Sequence, residues 1–153
     1  MADTITEALK ELIEGGMGEA GYYPAVNGVR IGEPGDVVSG DKYPLIMIVE
    51  GEDAYHNNGN HITVQRNYNL VIHVIDSDVL GAEKARDLIL LDEFSNPVKG
   101  LIPFFLVNNS VSIDSVEYDI EMLTTMAASG KDYKGRTTAA ATLPLRLERI
   151  FTI

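Results

Sequence analysis

Tyr43-Pro-Leu-Ile-Met-Ile-Val-Glu50 and His61-Ile-Thr-Val-Gln-Arg-Asn-Tyr-Asn-Leu-Val-Ile-His-Val-Ile75 are two runs dense in β-branched and aromatic residues. Between them lies Gly51-Glu-Asp-Ala-Tyr-His-Asn-Asn-Gly-Asn60, polar throughout its length and carrying an Asn-Gly pair. Two β-rich runs flanking such a pair predict a β-hairpin. The second run is about twice the usual strand length, so the hairpin is expected to project beyond its sheet and to carry Gly51–Asn60 as a polar tip. A projecting hairpin in a small domain points to assembly rather than chemistry.

On the N-terminal side, Thr4-Ile-Thr-Glu7 has the spacing of a capping box, in which a threonine hydroxyl and a glutamate three residues on satisfy free amides at a helix start. Ile5, Ala8, Leu9, Leu12 and Ile13 then recur at helical spacing with Lys10, Glu11 and Glu14 facing water, and Gly15-Gly16 ends the helix. Residues 15–42 hold ten Gly and Pro residues and are expected to form an extended connection with one short strand near Val26–Ile31.

On the C-terminal side, Asp76-Ser-Asp78 opens a second helix whose apolar face is Val79, Ala82, Ala85, Leu88, Ile89 and Phe94, stopped by Asn96-Pro97. Strands are expected at Phe104–Val107 and at Val111–Met122. In the latter, a phase slip at Asp114-Ser115 reads as a bulge. Residues 124–136 are small, polar and basic, and read as a flexible loop. Thr137–Ile153 closes the chain as a strand with Leu143, Leu145 and Leu147 on one face, and Pro144 is expected to keep it at an edge or to mark a bulge. The whole is a single α+β domain, 1–153, with a mainly antiparallel sheet, a long projecting β-hairpin and two helices packed on one face.

Composition narrows the function. The chain has 153 residues, no cysteine and a formal net charge of −11. It is long enough for a full core without disulfide or metal, and the missing thiols fit a reducing compartment. No apolar run approaches the ~18 residues needed to span a membrane, and the acidic, amphipathic N-terminus is unlike a signal peptide; the expectation is a soluble, cytoplasmic chain. Residues 1–60 carry 11 acids and 3 bases, 61–122 carry 10 and 4, and 123–153 carry 2 and 5. So acidic a chain is poorly suited to gripping phosphates. Its polarity suits a surface on one copy meeting the opposite charge on another.

Each chemical motif has a plainer explanation. Gly16-Met-Gly-Glu-Ala-Gly21 matches the dinucleotide string, but a helix enters it and Tyr22-Tyr23-Pro24 leaves it in extended form, the reverse of what a pyrophosphate site needs. His56 and His61 lie near Glu50, Glu52 and Asp53 and could ligate zinc, although a solvated turn accounts for them. Asp76 and Asp78 could bind Mg²⁺ or act as a carboxylate pair, although N-capping of the second helix explains them at least as well. No nucleophile elbow and no phosphate loop occurs, and the sequon Asn108-Asn-Ser110 carries no meaning without secretion. The expectation is no enzyme, no cofactor and no metal. Lys131, Lys134 and Arg136, with Tyr133 among them, are the one basic cluster, and a solvated loop accounts for it. Of the two functional readings, nucleic-acid phosphates or acidic residues on a neighbouring subunit, the neighbour is favoured because the rest of the chain is acidic.

Ile5–Ile13, the proline-led strand Tyr43–Glu50, the strand Arg66–Val74, the helix Ala82–Leu91 and the closing β segments follow an order that resembles the tail terminator (tail-completion, or head–tail joining) proteins of long-tailed bacteriophages. The resemblance covers most of the chain and implies a structural virion protein, assembled in the host cytoplasm. It implies a homo-oligomeric ring, usually a hexamer, at the tail–neck junction. The ring caps the tail tube protein and meets the head/neck connector protein, and DNA passes through its lumen without specific binding. Under that reading Glu50, Glu52, Asp53, Tyr55, His56, Lys131, Tyr133, Lys134 and Arg136 are the expected subunit or partner interface. Another phage neck or tail-tube component is the nearest alternative, and a small metal-dependent hydrolase or ligand-binding domain the more distant one.

Overall fold

The computed structural model describes residues 2–18, 21–24, 26–32, 43–74, 85–94, 96–123, 126–131 and 137–152. The fold is α+β. Its strands are β1 (Gly28–Ile31), β2 (Leu45–Asn58), β3 (His61–Val74), β4 (Ser110–Ile113), β5 (Val116–Met122), β6 (Met126–Lys131) and β7 (Thr137–Thr152). They form one mixed sheet in the order β1-β2-β3-β7-β5-β4, with β6 sharing the far side of β7 with β5. The β1–β2 pair is parallel and the remaining pairs are antiparallel.

Helix α1 (Ile5–Glu14) starts as its sequence dictates. The Thr4 hydroxyl accepts from Glu7 N–H at 3.1 Å, while the Glu7 carboxylate reaches one residue further back than in the usual box and accepts from Asp3 N–H. Ile5, Ala8, Leu9 and Ile13 are buried, and Lys10 and Glu14 pair at i,i+4 on the solvent side.

The apolar run Leu45–Val49 has no polar alternation because both faces of the sheet are covered there. Ile46 and Ile48 join Leu70, Ile72, Leu143, Leu145 and Leu147, with Leu9 and Ile13 of α1, in the main core. On the opposite face Leu45, Met47, Val49, Val71 and Ala140 form a second, smaller cluster. Removing a side chain such as Ile48 or Leu70 to alanine costs about 2–5 kcal/mol at so fully buried a position.

The structure corrects several sequence expectations. The polar segment 51–58 is strand rather than turn: β2 runs on to Asn58, and Gly59-Asn60 alone closes the hairpin from Asn58↔His61. Gly59 has φ +64 at the first central position, which only glycine adopts without strain in a two-residue turn of this hand. Residues 101–107 are a helix, α2 (Leu101–Val107), not a strand. A continuous apolar run gives no period to tell the two apart, and Pro103 falls in the first turn, where its missing N–H is harmless.

Val111–Met122 is two strands. Asp114 and Ser115 have φ of 50 and 66, the conformation of a type I′ turn, so the phase slip marks a hairpin instead of a bulge. A register shift does occur between Glu50 and Asp53 of β2. In the segment expected as a flexible basic loop, 126–131 pairs with β7 as β6, and 132–136 lie outside the described residues.

Pro144 sits inside the sheet rather than at an edge, and marks the bulge that the other expectation allowed: between Thr142↔Met126 and Leu145↔Met122 the register facing β7 slips by one residue. Its carbonyl accepts from Leu123 N–H at 2.9 Å, so its nitrogen faces the seam where β6 has ended and β5 has yet to begin. There no ladder bond requires a donor. The short strand expected near Val26–Ile31 is β1. Of the second expected helix, residues 75–84 lie outside the described residues; Ala85 is helical, and Arg86–Leu90 form a single π-helical turn that buries Ile89 and Leu90.

Candidate functional site

Beyond the bulge, the outer parts of β2, β3 and β7 stay in register to their ends: Asp53↔Arg66 to Asn58↔His61 on one side and His61↔Thr152 to Arg66↔Leu147 on the other. They make a three-stranded arm. Strand alternation divides its side chains. One face carries Asp53, Tyr55 and Asn57 beside Ile62, Val64 and Arg66, then Leu147, Arg149 and Phe151. The other carries Ala54, His56 and Asn58 beside His61, Thr63 and Gln65, then Glu148, Ile150 and Thr152.

On the first face Val64 is buried, the Arg149 guanidinium lies 4.3 Å from the Phe151 ring centroid, and Arg66 lies 5.9 Å from that of Tyr118. On the second, Gln65 donates to Glu148 at 3.1 Å and His61 Nδ1 is 3.2 Å from the Thr152 hydroxyl. Tyr55 on one face and Ile150 on the other remain 65% and 61% exposed.

The residues singled out from sequence are distributed as follows. Glu50 stands at the root of the arm, where its carboxylate accepts from the Thr6 hydroxyl at 2.7 Å. That hydroxyl is also 2.9 Å from the Tyr68 phenol, and burial pushes the phenol up from its usual pKa so that it stays a neutral donor. Glu52 lies in the bulge, where its carbonyl accepts from the Asn67 amide at 2.6 Å. Asp53 and Tyr55 share a face two residues apart. His56 and His61 share the other, as diagonal neighbours across β2 and β3. Among the described residues no three His, Asp or Glu side chains gather as metal ligands. His73 is buried in the sheet, away from both.

Lys131 is the last residue of β6, opposite Thr137. Tyr133, Lys134 and Arg136, like Asp76 and Asp78, lie outside the described residues. Among the described residues, Lys131 and the tip of the arm are therefore not brought together within one chain. Thr152 marks the arm's tip and Thr137 the Lys131 end of the same strand, 16 residues long, which spans about 50 Å at ~3.3 Å per residue.

The glycine string has a packing explanation. Tyr22 N–H returns to the Gly16 carbonyl at 2.8 Å, and a Cβ on Gly16 would collide with the Tyr23 ring. Tyr23 is fully buried and donates its hydroxyl to the Ile13 carbonyl, locking the turn beneath α1.

Sequence reasoning missed one surface. α2 is apolar on every side. It buries Leu101, Phe104 and Phe105, with Phe104 meeting Tyr22 and Tyr23 edge-on at 5.4 and 5.5 Å between ring centroids. Leu106 and Val107 are each left 68% exposed, next to Val98. Together with Tyr22, Leu91 and Ile102 these line a groove of about 530 Å³, with Lys99 as its single charged lining residue. Lys99 donates to the Gly21 carbonyl at 2.6 Å and lies 5.9 Å from the Tyr22 ring centroid. Phe94, in the loop preceding Pro97, is 84% exposed. A patch of this kind is a candidate docking surface. Its signal in the sequence was Leu101–Val107 itself, since seven consecutive apolar residues on a helix cannot all face inward. A second groove, of about 560 Å³ between α1 and β4, is lined by Glu11, Leu12, Ser112 and Asp114 among others and gathers no reactive constellation.

Neither the profiles of known protein families nor the sequences of curated proteins match the chain.

Proposed function

We propose that this chain is a structural protein of a long-tailed bacteriophage, a tail terminator whose copies close into a ring that caps the tail tube and meets the head connector. The observation that carries this reading is the layout along β7. An arm bearing an exposed tyrosine and carboxylates occupies one end of the strand, and the basic segment from Lys131 begins at the other.

A closed ring is built from heterologous contacts, in which each subunit offers two different surfaces, and the two ends of β7, about 50 Å apart, are places where such surfaces can lie. The arm is the projecting hairpin of the proposal, reinforced by β7. Glu50, Glu52, Asp53, Tyr55 and His56 supply its contact surface, and Lys131, Tyr133, Lys134 and Arg136 supply one for the next copy or for the tube. The chain's −11 charge keeps a lumen from holding DNA phosphates, so nucleic acid passes without specific binding. No catalytic step is assigned to the chain.

Electron microscopy of the purified protein tests the proposal. A terminator gives discrete rings with an open centre. Long tubes formed by the protein alone would assign it to the tube instead, and single globular particles at all concentrations would remove the assembly reading.

A further inference from the structure

We propose that the apolar groove beside α2 receives the arm of a neighbouring copy, with Tyr55 seated against Val98, Ile102 and Leu106 and Asp53 directed at Lys99. This contact rests on the ring reading and supplies it with a specific interface.

Three features select the occupant. The groove is lined by apolar side chains and one ammonium, with no acid among its lining residues. Its guest should therefore present an apolar group flanked by carboxylate. From Gly51 to Asn58 the outer part of β2 has that composition, with Glu52, Asp53 and Tyr55 and no Lys or Arg; Arg66 stands opposite Asp53 on β3, so Asp53 turns to Lys99 in competition with it. Because Asp53 and Tyr55 lie two residues apart on one strand, both point to the same side, about 7 Å apart. Second, the volume of about 530 Å³ is of the size that takes one aromatic side chain with its neighbours, and Tyr55 is 65% exposed at a place where it can be presented. Third, copies of a chain with net charge −11 repel one another. A contact that buries exposed Val98, Leu106 and Tyr55 and matches the acidic strand to a lysine is one way such copies can adhere. Arm into groove is also heterologous, so it propagates from copy to copy and gives a ring when the rotation between copies closes.

The test uses two substitutions at exposed positions, Tyr55→Ser on the arm and Leu106→Glu in the groove, with light scattering as the readout and circular dichroism confirming that each variant is folded. Each variant alone should need at least a tenfold higher concentration than the wild type to assemble, because removing a central anchor costs more than a tenfold change in affinity. Mixed in equal amounts, the intact arm of the Leu106→Glu chain should enter the intact groove of the Tyr55→Ser chain. That yields a species of about twice the 16.7 kDa chain mass that grows no further. A wild-type multimer whose mass neither substitution changes, or variants that remain single chains when mixed, would overturn the contact and leave the ring reading standing. A wild-type chain that is itself monomeric would overturn both.

Discussion

The Thr6 hydroxyl of α1 donates a 2.7 Å hydrogen bond to the carboxylate of Glu50, the last β2 residue before the bulge. Thr6 is buried, and the Tyr68 phenol opposite Glu50 donates to the same hydroxyl at 2.9 Å. A chain of two hydrogen bonds thus ties the first helix to the root of the arm, at the point where the β2 register shifts. Replacing Thr6 by Val keeps the side chain's volume, takes the buried Tyr68 phenol's acceptor away and leaves the exposed Glu50 carboxylate to water. We expect a loss of about 1–3 kcal/mol in urea unfolding, with Thr6→Ser retaining most of the stability. Equal stability of Thr6→Val and wild type would show that the link is incidental.

Burial pushes the Tyr23 and Tyr68 phenols above their usual pKa. In the unfolded chain both titrate near 10. The folded state holds its protons to higher pH, so this stability is fully present below about pH 10 and is lost as pH rises above it. The melting temperature should be flat from pH 7 to 9 and fall above about 10. Tyr23→Phe, which also removes the bond to the Ile13 carbonyl, should lower the plateau and flatten the alkaline fall. An unchanged alkaline slope in that variant would contradict the assignment.

The Asp114-Ser115 turn holds two non-glycine residues in the left-handed region. Ser115→Gly relieves that strain and should raise stability by up to about 1 kcal/mol. The same change in an ordinary extended strand with a bulge would lower it, so the sign of the effect in thermal melting separates the two backbones.

Much of the fold was legible because local physics dictated it. Thr4 and Glu7 fix the start of α1, and Leu45–Glu50 pairs with Tyr68–His73 as their composition demands. The errors came where one-dimensional patterns are degenerate. Asp114-Ser115 shifts the alternation as a bulge would, and only the backbone angles reveal a turn. The polar stretch 51–58 was misread because strand residues exposed on both faces look like loop. Leu101–Val107 has no period to read at all. For the candidate site, the acidic and aromatic residues of the arm were visible as types. The groove was not, because it is assembled from Tyr22, Leu91, Val98–Lys99 and α2, which no spacing rule connects.

The basic segment is read as a protein contact rather than a DNA site. Replacing Lys131, Lys134 and Arg136 together by Glu should weaken assembly most at low salt, with recovery as screening removes the new repulsion. Sedimentation at about 50 mM and 500 mM salt checks this, the two concentrations lying on either side of the range where screening becomes strong. Intact assembly together with lost DNA affinity would reverse the assignment.

The arm can be shortened only in register. Gly59-Asn60 already closes the hairpin, so removing Gly51–Asn58 alone would strip β3 of its partner. Joining Asp53 to Arg66 through a Gly-Asn turn, with the chain ended at Glu148, preserves the paired core. That variant should unfold cooperatively in denaturant and remain a single chain. If it assembles as the wild type does, the arm is a passive surface.

The mass of the purified wild-type chain in solution tests the central claim most directly. Multi-angle light scattering across a concentration series should find a discrete species several times the 16.7 kDa chain mass, about sixfold for a hexameric ring, with no larger polymers. A mass of one chain at every concentration would contradict the account.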